Sequence, residues 1–319
     1  MEKEFIFKNR SISSCLLAAY KLLGENMKGI LQSTWLPVLL CGIFSGVFIT
    51  TNIRLPEVQA FGTDHPALFL TIYTVSLIGM TVCSLWASSR LLSMLNGQTR
   101  SKNLLRMFLL YLCNLVIVVI IGGVLVVGAL LCARHLKVNL MQFAADNWLV
   151  LAGVLLVAFI VMLPLVYVNM RYLFSSEASY FIDFPKAYGT GFRHIGFIFL
   201  TTLLGGIIGG IIGGIICLPF TILMVSQTFS AIGMLNGDPS GMPDYFATLH
   251  GATFGLTTML LMYLSMYLML VYMFLYGSIE QQREERRQSA LRSTTDETSD
   301  PQTPTNTPSH DTVFNHPIR

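Results

Sequence analysis

The chain has 319 residues, of which 53% are hydrophobic and only 12% are charged, with a net charge of +3. A soluble domain carries about 25% charged residues, so this composition excludes an ordinary soluble domain and favours a membrane protein. The six cysteines form no CxxC pair, which argues against a zinc or redox site, and we interpret them as small buried hydrophobic residues.

The first 33 residues carry five lysines and arginines before any long apolar run, unlike a cleavable signal peptide. Apolar side chains recur in this segment at helical spacing, at Leu16, Tyr20, Leu23, Met27 and Ile30. The spacing predicts an amphipathic entry helix that lies in the membrane interface with Lys21 and Lys28 toward lipid phosphates. The alternative is a cytoplasmic cap that packs on the bundle.

Six uninterrupted apolar stretches follow, at residues 34–53, 67–88, 107–132, 148–168, 195–224 and 252–276. None contains Asp, Glu, Lys, Arg or His, and a helix needs only about 20 residues to cross a hydrocarbon core of about 30 Å. These stretches do not alternate apolar and polar residues, as the strands of an outer-membrane barrel do. The sequence therefore predicts an all-α, polytopic membrane bundle over residues 34–276 with six transmembrane helices.

Lysine and arginine are distributed unevenly between the two sets of connecting segments. Segments 1–33, 89–106, 169–194 and 277–319 hold 17 of the 20 cations, and the other connections hold only Arg54, Arg134 and Lys137. Cytoplasmic loops are enriched in these residues. This distribution predicts a multi-pass protein of the cytoplasmic, or inner, cell membrane with both termini in the cytoplasm.

A short sequence similarity suggests internal repeats. Ala19-Tyr20 precedes Met27-Lys28-Gly29-Ile30, and Ala187-Tyr188 precedes His194-Ile195-Gly196-Phe197. Both pairs are followed by a span, which suggests three tandem units, 1–88, 89–168 and 169–276, each with an interfacial helix and two spans. Chance similarity is the alternative explanation.

The fifth span contains three glycine pairs spaced by four residues: Gly205, Gly206, Gly209, Gly210, Gly213 and Gly214. Glycines at this spacing let a neighbouring helix approach closely. We interpret them as helix-packing residues within one bundle, and the alternatives are a sliding or gating surface or a homodimer seam. Pro219 is expected to kink or end this span.

The sixth span is rich in tyrosine and methionine, and Tyr263, Met266 and Tyr267 are candidates for lining a lipid or small-molecule cavity. Ordinary helix packing is the alternative. Asn114 is a strongly polar residue inside a span, and we expect it to bond to a neighbouring helix or to line the same cavity.

Chemistry-bearing residues are scattered rather than clustered. His65, His135 and His250 fall near the outer face without ligand spacing, so no metal or cofactor site and no catalytic residue is predicted. The absence of ionisable side chains from the spans argues against ion-coupled transport.

The C-terminal part differs in composition from the spans. Residues 277–292 are expected to continue the last helix into the cytoplasm. Residues 293–319 are rich in Ser, Thr, Pro and Asp, with almost no large apolar residue, and are predicted to be disordered.

Short sequences before two of the spans suggest a family resemblance. The N-terminal segment contains Leu17-Ala18-Ala19-Tyr20-Lys21-Leu22-Leu23, and the later stretch contains Arg171-Tyr172-Leu173-Phe174, Phe181-Ile182-Asp183, Lys186-Ala187-Tyr188 and Phe192-Arg193-His194. With six spans, residues 10–276 resemble bacterial multi-pass proteins that group with the membrane domain of glycerophosphodiester phosphodiesterases. The resemblance implies an inner-membrane helical domain. The phosphodiesterase activity belongs to a separate soluble barrel, so the resemblance assigns no functional residue.

These patterns lead to an expectation about function. We expect a non-enzymatic membrane protein that organises lipids, envelope components or a partner complex. Its expected contacts are the bilayer, anionic lipid headgroups at the interfacial cations, and a second copy or another membrane protein, but no nucleic acid. The alternative is a transporter, exporter or flippase for an apolar or lipid-like substrate, and a membrane-embedded enzyme ranks third.

Overall fold

A computed structural model describes residues 6–52, 63–135, 146–175, 179–237, 242–243 and 245–298. The regular secondary structure in these ranges is entirely helical. Among the described residues, six stretches are long and apolar enough to cross a membrane: Met27–Asn52, Pro66–Asn96, Arg100–His135, Trp148–Phe174, Ile195–Met234 and Phe246–Arg292. The prediction of an all-helical protein with six apolar helices that could cross a membrane is confirmed for the described residues.

The described ranges contain nine helices. They are α1 (Ile12–Glu25), α2 (Met27–Asn52), α3 (Pro66–Asn96), α4 (Arg100–His135), α5 (Trp148–Met162), α6 (Pro164–Phe174), α7 (Tyr180–Arg193), α8 (Ile195–Leu235) and α9 (Phe246–Thr298). A helix satisfies its own backbone hydrogen bonds, which hydrocarbon requires. Helix α9 extends through 277–292 to Thr298, six residues into the segment predicted to be disordered, and residues 299–319 lie outside the described part.

The spans contact one another in chain order and close into a ring. Helix α2 contacts α3, α3 contacts α4, α4 contacts α6, α6 contacts α8, α8 contacts α9, and α9 returns to α2. Helix α9 also contacts α1, α3 and α6, and two adjoining apolar clusters pack around it. One contains Leu16, Leu91 and Leu270, and the other contains Tyr167 and Leu275. The last span therefore completes the bundle by packing against the first.

The cation-rich segments lie together at one end of the ring. Arg90 Nη1 donates to the Ser33 carbonyl at 3.1 Å, and Arg106 Nη1 donates to the Ser175 carbonyl at 3.0 Å. At the same end the Arg10 backbone N–H donates to Ser278 Oγ at 3.0 Å. We call this the cationic end and the opposite one the distal end.

The distal halves of two spans have few contacts with the other described helices. None of the fifteen described residues of α5 is buried, and the buried residues of α4 are Asn103, Arg106, Leu110 and Ala133. Between Leu110 and Ala133, α4 exposes a run of valines and leucines, including Val119 and Val124. Such broad apolar exposure is typical of helices surrounded by lipid.

Prolines act differently in three of the spans. Helix α5 ends at Met162 and α6 starts at Pro164, because Pro164 has no N–H to donate to Ile160. The Leu163 N–H is shared instead between the carbonyls of Phe159 and Ile160, at 3.2 and 3.3 Å. Sequence analysis treats 148–168 as one unbroken stretch, so this break is a new feature.

Pro37 and Pro219, in contrast, lie inside continuous helices. The fifth span does not end at Pro219, because α8 continues through it to Leu235.

The two short helices α1 and α7 correspond closely. Both have 14 residues, and their bounds differ by 168 positions, from Ile12 to Tyr180 and from Glu25 to Arg193. Each is preceded by an extended serine and followed by a single residue that separates it from a span, with φ and ψ of −106° and 11° in one case and −109° and 22° in the other. This agreement extends the similarity between the first and third units.

The second unit starts differently. Gly97 adopts a left-handed φ of 67° after α3, and α4 begins at Arg100. The side-chain amides of Asn96 and Asn103 exchange two hydrogen bonds of 3.0 Å across this turn. Residues 89–106 therefore form a tight helix–helix turn rather than a separate interfacial helix, and the three-unit organisation stays a prediction.

Candidate functional site

Helices α2 and α9 meet with their backbones in direct contact. A Cβ atom added to Gly46 would lie 2.6 Å from the Gly251 carbonyl oxygen, and one added to Gly255 would lie 2.6 Å from the Gly42 carbonyl oxygen. No real Cβ tolerates such a distance, so only glycine fits at these positions. Each helix contributes one GxxxG pair, the motif that allows close helix packing in membranes.

A groove runs beside this contact. Its volume is about 500 Å³, and its walls include Ile43, Val47 and Thr50 from α2 and Thr248, Ala252 and Leu256 from α9. This volume lies within the range of small-molecule sites, about 300–1,000 Å³. Because the glycines supply no side chains, their close contact leaves the adjoining surface concave.

The groove is chemically apolar. Thr50 Oγ1 donates to the Gly46 carbonyl at 2.8 Å, and Thr51 Oγ1 donates to the Phe48 carbonyl at 2.7 Å. Both hydroxyl protons are therefore used within α2. Ile43 and Leu256 are 54% and 58% exposed at the mouth of the groove. An occupant would find van der Waals contacts and few polar groups, which fits a hydrocarbon chain.

The six glycines predicted from the fifth span divide into two faces. Cβ atoms added to Gly205, Gly209 and Gly213 would lie 3.5–3.7 Å from leucine side chains of α9, an ordinary van der Waals distance. The other face has no described atom within 4 Å of such a Cβ, and it consists of Gly206, Gly210 and Gly214. The first face thus contacts α9 loosely and the second points away from it.

The candidates from the sixth span lie away from the groove. Met266 is buried in the cluster around α1, where Tyr263 and Tyr267 pack partly buried. The Tyr267 hydroxyl donates to the Leu16 carbonyl at 3.5 Å. These side chains attach α1 to the bundle and do not line the groove.

Asn114 connects two spans. Its side-chain oxygen accepts a hydrogen bond of 3.3 Å from Asn169 in α6, while its own amide donates to the Leu110 carbonyl at 3.0 Å. Asn114 therefore makes the bond to a neighbouring helix that its position in an apolar span suggests, and it lies away from the groove.

A polar cluster joins the buried Tyr167 of α6 to the more exposed Glu280 and Arg283 of α9 at the cationic end. The Tyr167 hydroxyl donates to Glu280 Oε1, and Arg283 Nη1 donates both to the Tyr167 hydroxyl and to Glu280 Oε1 at 3.1 Å. The ring of Tyr276 lies 5.6 Å from that of Tyr167. The carboxylate, phenol and guanidinium bond to one another, so the cluster fixes the two helices together. Sequence analysis missed it because Tyr167 and Glu280 are 113 positions apart.

His194 occupies the joint between α7 and α8 and is half-buried. Burial lowers the pKa of its imidazole below the ordinary value of 6.5, and the charges of Arg286 and Arg283 lower that pKa further. The neutral imidazole is therefore the favoured form at this joint.

His250 lies inside the bundle near the distal end. Its ring stands 5.0 Å from that of Phe220 and 6.0 Å from that of Phe246, and neither ring nitrogen has a hydrogen-bond partner among the described residues. In the described ranges, no group of three His, Cys, Asp or Glu side chains could hold a metal ion.

Sequence analysis overlooked the groove, although its signal is visible. The pairs Gly42/Gly46 and Gly251/Gly255 are each a GxxxG motif in an apolar stretch. The fifth span has three glycine pairs at the same spacing, so spacing alone does not single out the pairs in α2 and α9. The chain matches no protein-family model, no curated protein and no solved structure, so its apolar helices and the groove between α2 and α9 are the features from which a function has to be inferred.

Proposed function

We propose that this is a non-enzymatic, multi-pass protein of the cytoplasmic membrane that organises lipids by holding an acyl chain in the groove between α2 and α9. The groove itself carries the proposal. It lies along two apolar spans, has a volume of about 500 Å³ and is lined almost wholly by apolar groups.

The orientation in this proposal follows from charge. The cationic end faces the cytoplasm, because cytoplasmic segments of membrane proteins are enriched in lysine and arginine. Both termini are then cytoplasmic, and the groove opens to the outer leaflet because Thr50 and Thr51 lie at the distal end of α2.

The chemistry of the groove favours an acyl chain over a polar substrate. A polar ligand buried in hydrocarbon needs hydrogen-bond partners. Of the three threonines that line the groove, Thr50 and Thr51 already donate to carbonyls of their own helix, so Thr248 is left as the hydroxyl donor. A non-enzymatic role accords with the pairing of Tyr167, Glu280 and Arg283, which leaves that cluster without a free acid or base. The resemblance to the membrane domain of glycerophosphodiester phosphodiesterases also suggests a lipid environment without catalysis.

A second candidate function is a flippase or exporter for a lipid-like substrate. The observation that favours it is the break between α5 and α6 at Pro164, next to a distal segment with no buried residue. A broken span with a loosely packed half is a common element of transporters. Lipid scrambling by the protein in reconstituted vesicles would favour this function over lipid organisation.

The groove is tested by filling it. Ala252→Trp places an indole in the groove, and Leu260→Trp is the matched control because Leu260 is an exposed residue of the same helix outside the groove. Native mass spectrometry of protein released from lipid nanodiscs measures retained phospholipid. The proposal expects one retained lipid in the wild type and in the control, and loss of that lipid from Ala252→Trp with unchanged thermal stability. Equal lipid retention in all three proteins, or none in the wild type, contradicts the proposal.

A further inference from the structure

Helix α7 exposes one strongly apolar face. Phe181 and Ile182 are 78% and 79% exposed, and Phe192 is 55% exposed two to three turns later. The other face, with Tyr180, Ala187 and Gly191, is buried. An amphipathic helix with aromatic side chains on its outer face is typical of segments that lie in a lipid–water interface.

Two cations flank the exposed apolar face. Lys186 and Arg193 are exposed, and within the described ranges neither side chain has an ion-pair partner. Asp183, the nearby carboxylate, accepts a hydrogen bond from the Ser179 backbone N–H and lies 4.0 Å from Arg171. Lys186 and Arg193 are therefore available to anionic groups.

The position of α7 in the chain places it at the boundary of the apolar spans. It follows the end of α6 at Phe174 and precedes the start of α8 at Ile195, and both of those helices belong to spans. At this boundary, the apolar side chains of α7 can contact acyl chains while its cations contact the adjoining lipid phosphates.

The buried face of α7 packs on the break in the fourth span. A Cβ added to Gly191 would lie 3.0 Å from the carbonyl oxygen of Pro164 and 3.2 Å from the Cα of Pro164, so a larger residue would push the two helices slightly apart. The Tyr188 hydroxyl donates to the Val161 carbonyl at 2.8 Å. Helix α7 therefore holds both sides of the interruption between α5 and α6.

We infer that α7 binds the anionic lipid surface through Phe181, Ile182, Lys186 and Arg193, and that this seating stabilises the α5–α6 break through Tyr188 and Gly191. Anionic lipid anchors the exposed side of α7 in the interface, which favours the position in which its buried face contacts Pro164. The inference rests on the membrane placement in the proposed function and is independent of the groove, so either can fail alone.

The first measurement is binding. Full-length protein is exchanged between nanodiscs of phosphatidylglycerol and of phosphatidylcholine, and retained anionic lipid is counted by native mass spectrometry. The double variant Lys186→Gln/Arg193→Gln should bind phosphatidylglycerol about thirtyfold less tightly, because each interfacial cation contributes about fivefold to anionic-lipid affinity. Arg287→Gln/Arg292→Gln removes two exposed charges from α9 and is the control. Equal loss in both variants contradicts a specific role for α7.

The second measurement is coupling. Hydrogen–deuterium exchange of residues 159–166 should slow in phosphatidylglycerol relative to phosphatidylcholine in the wild type. It should not slow in Tyr188→Phe, which lacks the bond to Val161, whereas Tyr20→Phe at the corresponding exposed position of α1 should behave as the wild type. Identical exchange in the two lipids overturns the coupling. If free inorganic phosphate added to phosphatidylcholine nanodiscs reproduces the slowing, the ligand is a phosphate ion and the lipid assignment is wrong.

Discussion

Arg90 shows how a single side chain compensates for a proline inside a span. Pro37 lacks the N–H that would donate to the Ser33 carbonyl one turn earlier. The Arg90 guanidinium donates to this carbonyl at 3.1 Å and lies 5.2 Å from the centre of the Trp86 ring. The cation thereby satisfies a backbone acceptor in α2 from the end of α3, and joins the first two spans.

This relation predicts energetic coupling between Arg90 and Pro37. Arg90→Leu leaves the Ser33 carbonyl without its donor and should lower the free energy of unfolding by about 1–3 kcal/mol. In a Pro37→Ala background, the restored Ala N–H can donate to Ser33, so the same Arg90→Leu change should cost about 1 kcal/mol less. Denaturation of the four proteins in mild detergent measures the cycle. Additive effects contradict the assignment.

His194 predicts a dependence of stability on pH. Its pKa in the folded protein is below the ordinary 6.5, so the unfolded chain binds the proton more tightly. The contribution of neutral His194 to the free energy of unfolding is fully present above pH 6.5. This contribution is lost as the pH falls below 6.5 toward the lowered pKa of the folded state. His194→Gln should flatten this part of the profile. Thermal unfolding between neutral and mildly acidic pH tests this, and a steep profile retained by His194→Gln contradicts it.

At the scale of the element, the glycines of the fifth span and the GxxxG pairs of α2 and α9 have the same spacing in the sequence. They differ in the atoms that surround them. The fifth span has two interleaved glycine rows, and the sequence gives no reason to prefer either row or the single pairs in α2 and α9. Only packing shows that Gly46 and Gly255 touch another backbone while Gly210 faces outward. The spans and their order can be predicted from hydropathy. Which helix faces meet depends on side-chain packing, and this cannot be read from a single sequence.

Alanine substitution should lower the stability of the protein at a glycine that touches another backbone and raise it at a glycine that faces outward. Gly46→Ala places a methyl group against the Gly251 carbonyl and should destabilise the protein by about 1–3 kcal/mol, the usual cost of overpacking. Gly210→Ala meets no described atom and should stabilise helix α8 by up to about 1 kcal/mol through helix propensity. Denaturation in detergent measures both. The same sign for both variants would contradict the packing described here.

At the scale of the whole molecule, sequence reasoning predicts the six apolar spans because each is long and free of charge. It also groups the four cation-rich segments, which the fold brings to one end through contacts such as Arg106 with Ser175 and Arg10 with Ser278. It does not predict the closure of the ring by α9 against α2, because that contact joins residues more than 200 positions apart. The groove depends on the same contact, although the GxxxG pair on each of its two helices is visible in the sequence.

The ring and its charges predict opposite locations for two connections. A reporter inserted after Gly97, in the tight turn at the cationic end, should lie in the cytoplasm. A reporter inserted at residue 240, in the connection between α8 and α9, should lie on the other side. Paired fluorescent and alkaline-phosphatase fusions measure both positions. Finding the two sites in one compartment would contradict the alternating arrangement.

The bare distal parts of α4 and α5 have a consequence for the neighbouring bilayer. Helix α4 has no buried residue between Leu110 and Ala133, and α5 has none along its length, so acyl tails fill the space beside them in place of protein. The perimeter of the protein then differs between the two monolayers. More lipid molecules contact the protein in the distal monolayer. We therefore expect the tilt of α4 and α5 to respond to the thickness of that monolayer, because packing against neighbouring helices constrains it little there. A membrane that thins or stiffens on that side alone would reposition both helices while the ring stays closed.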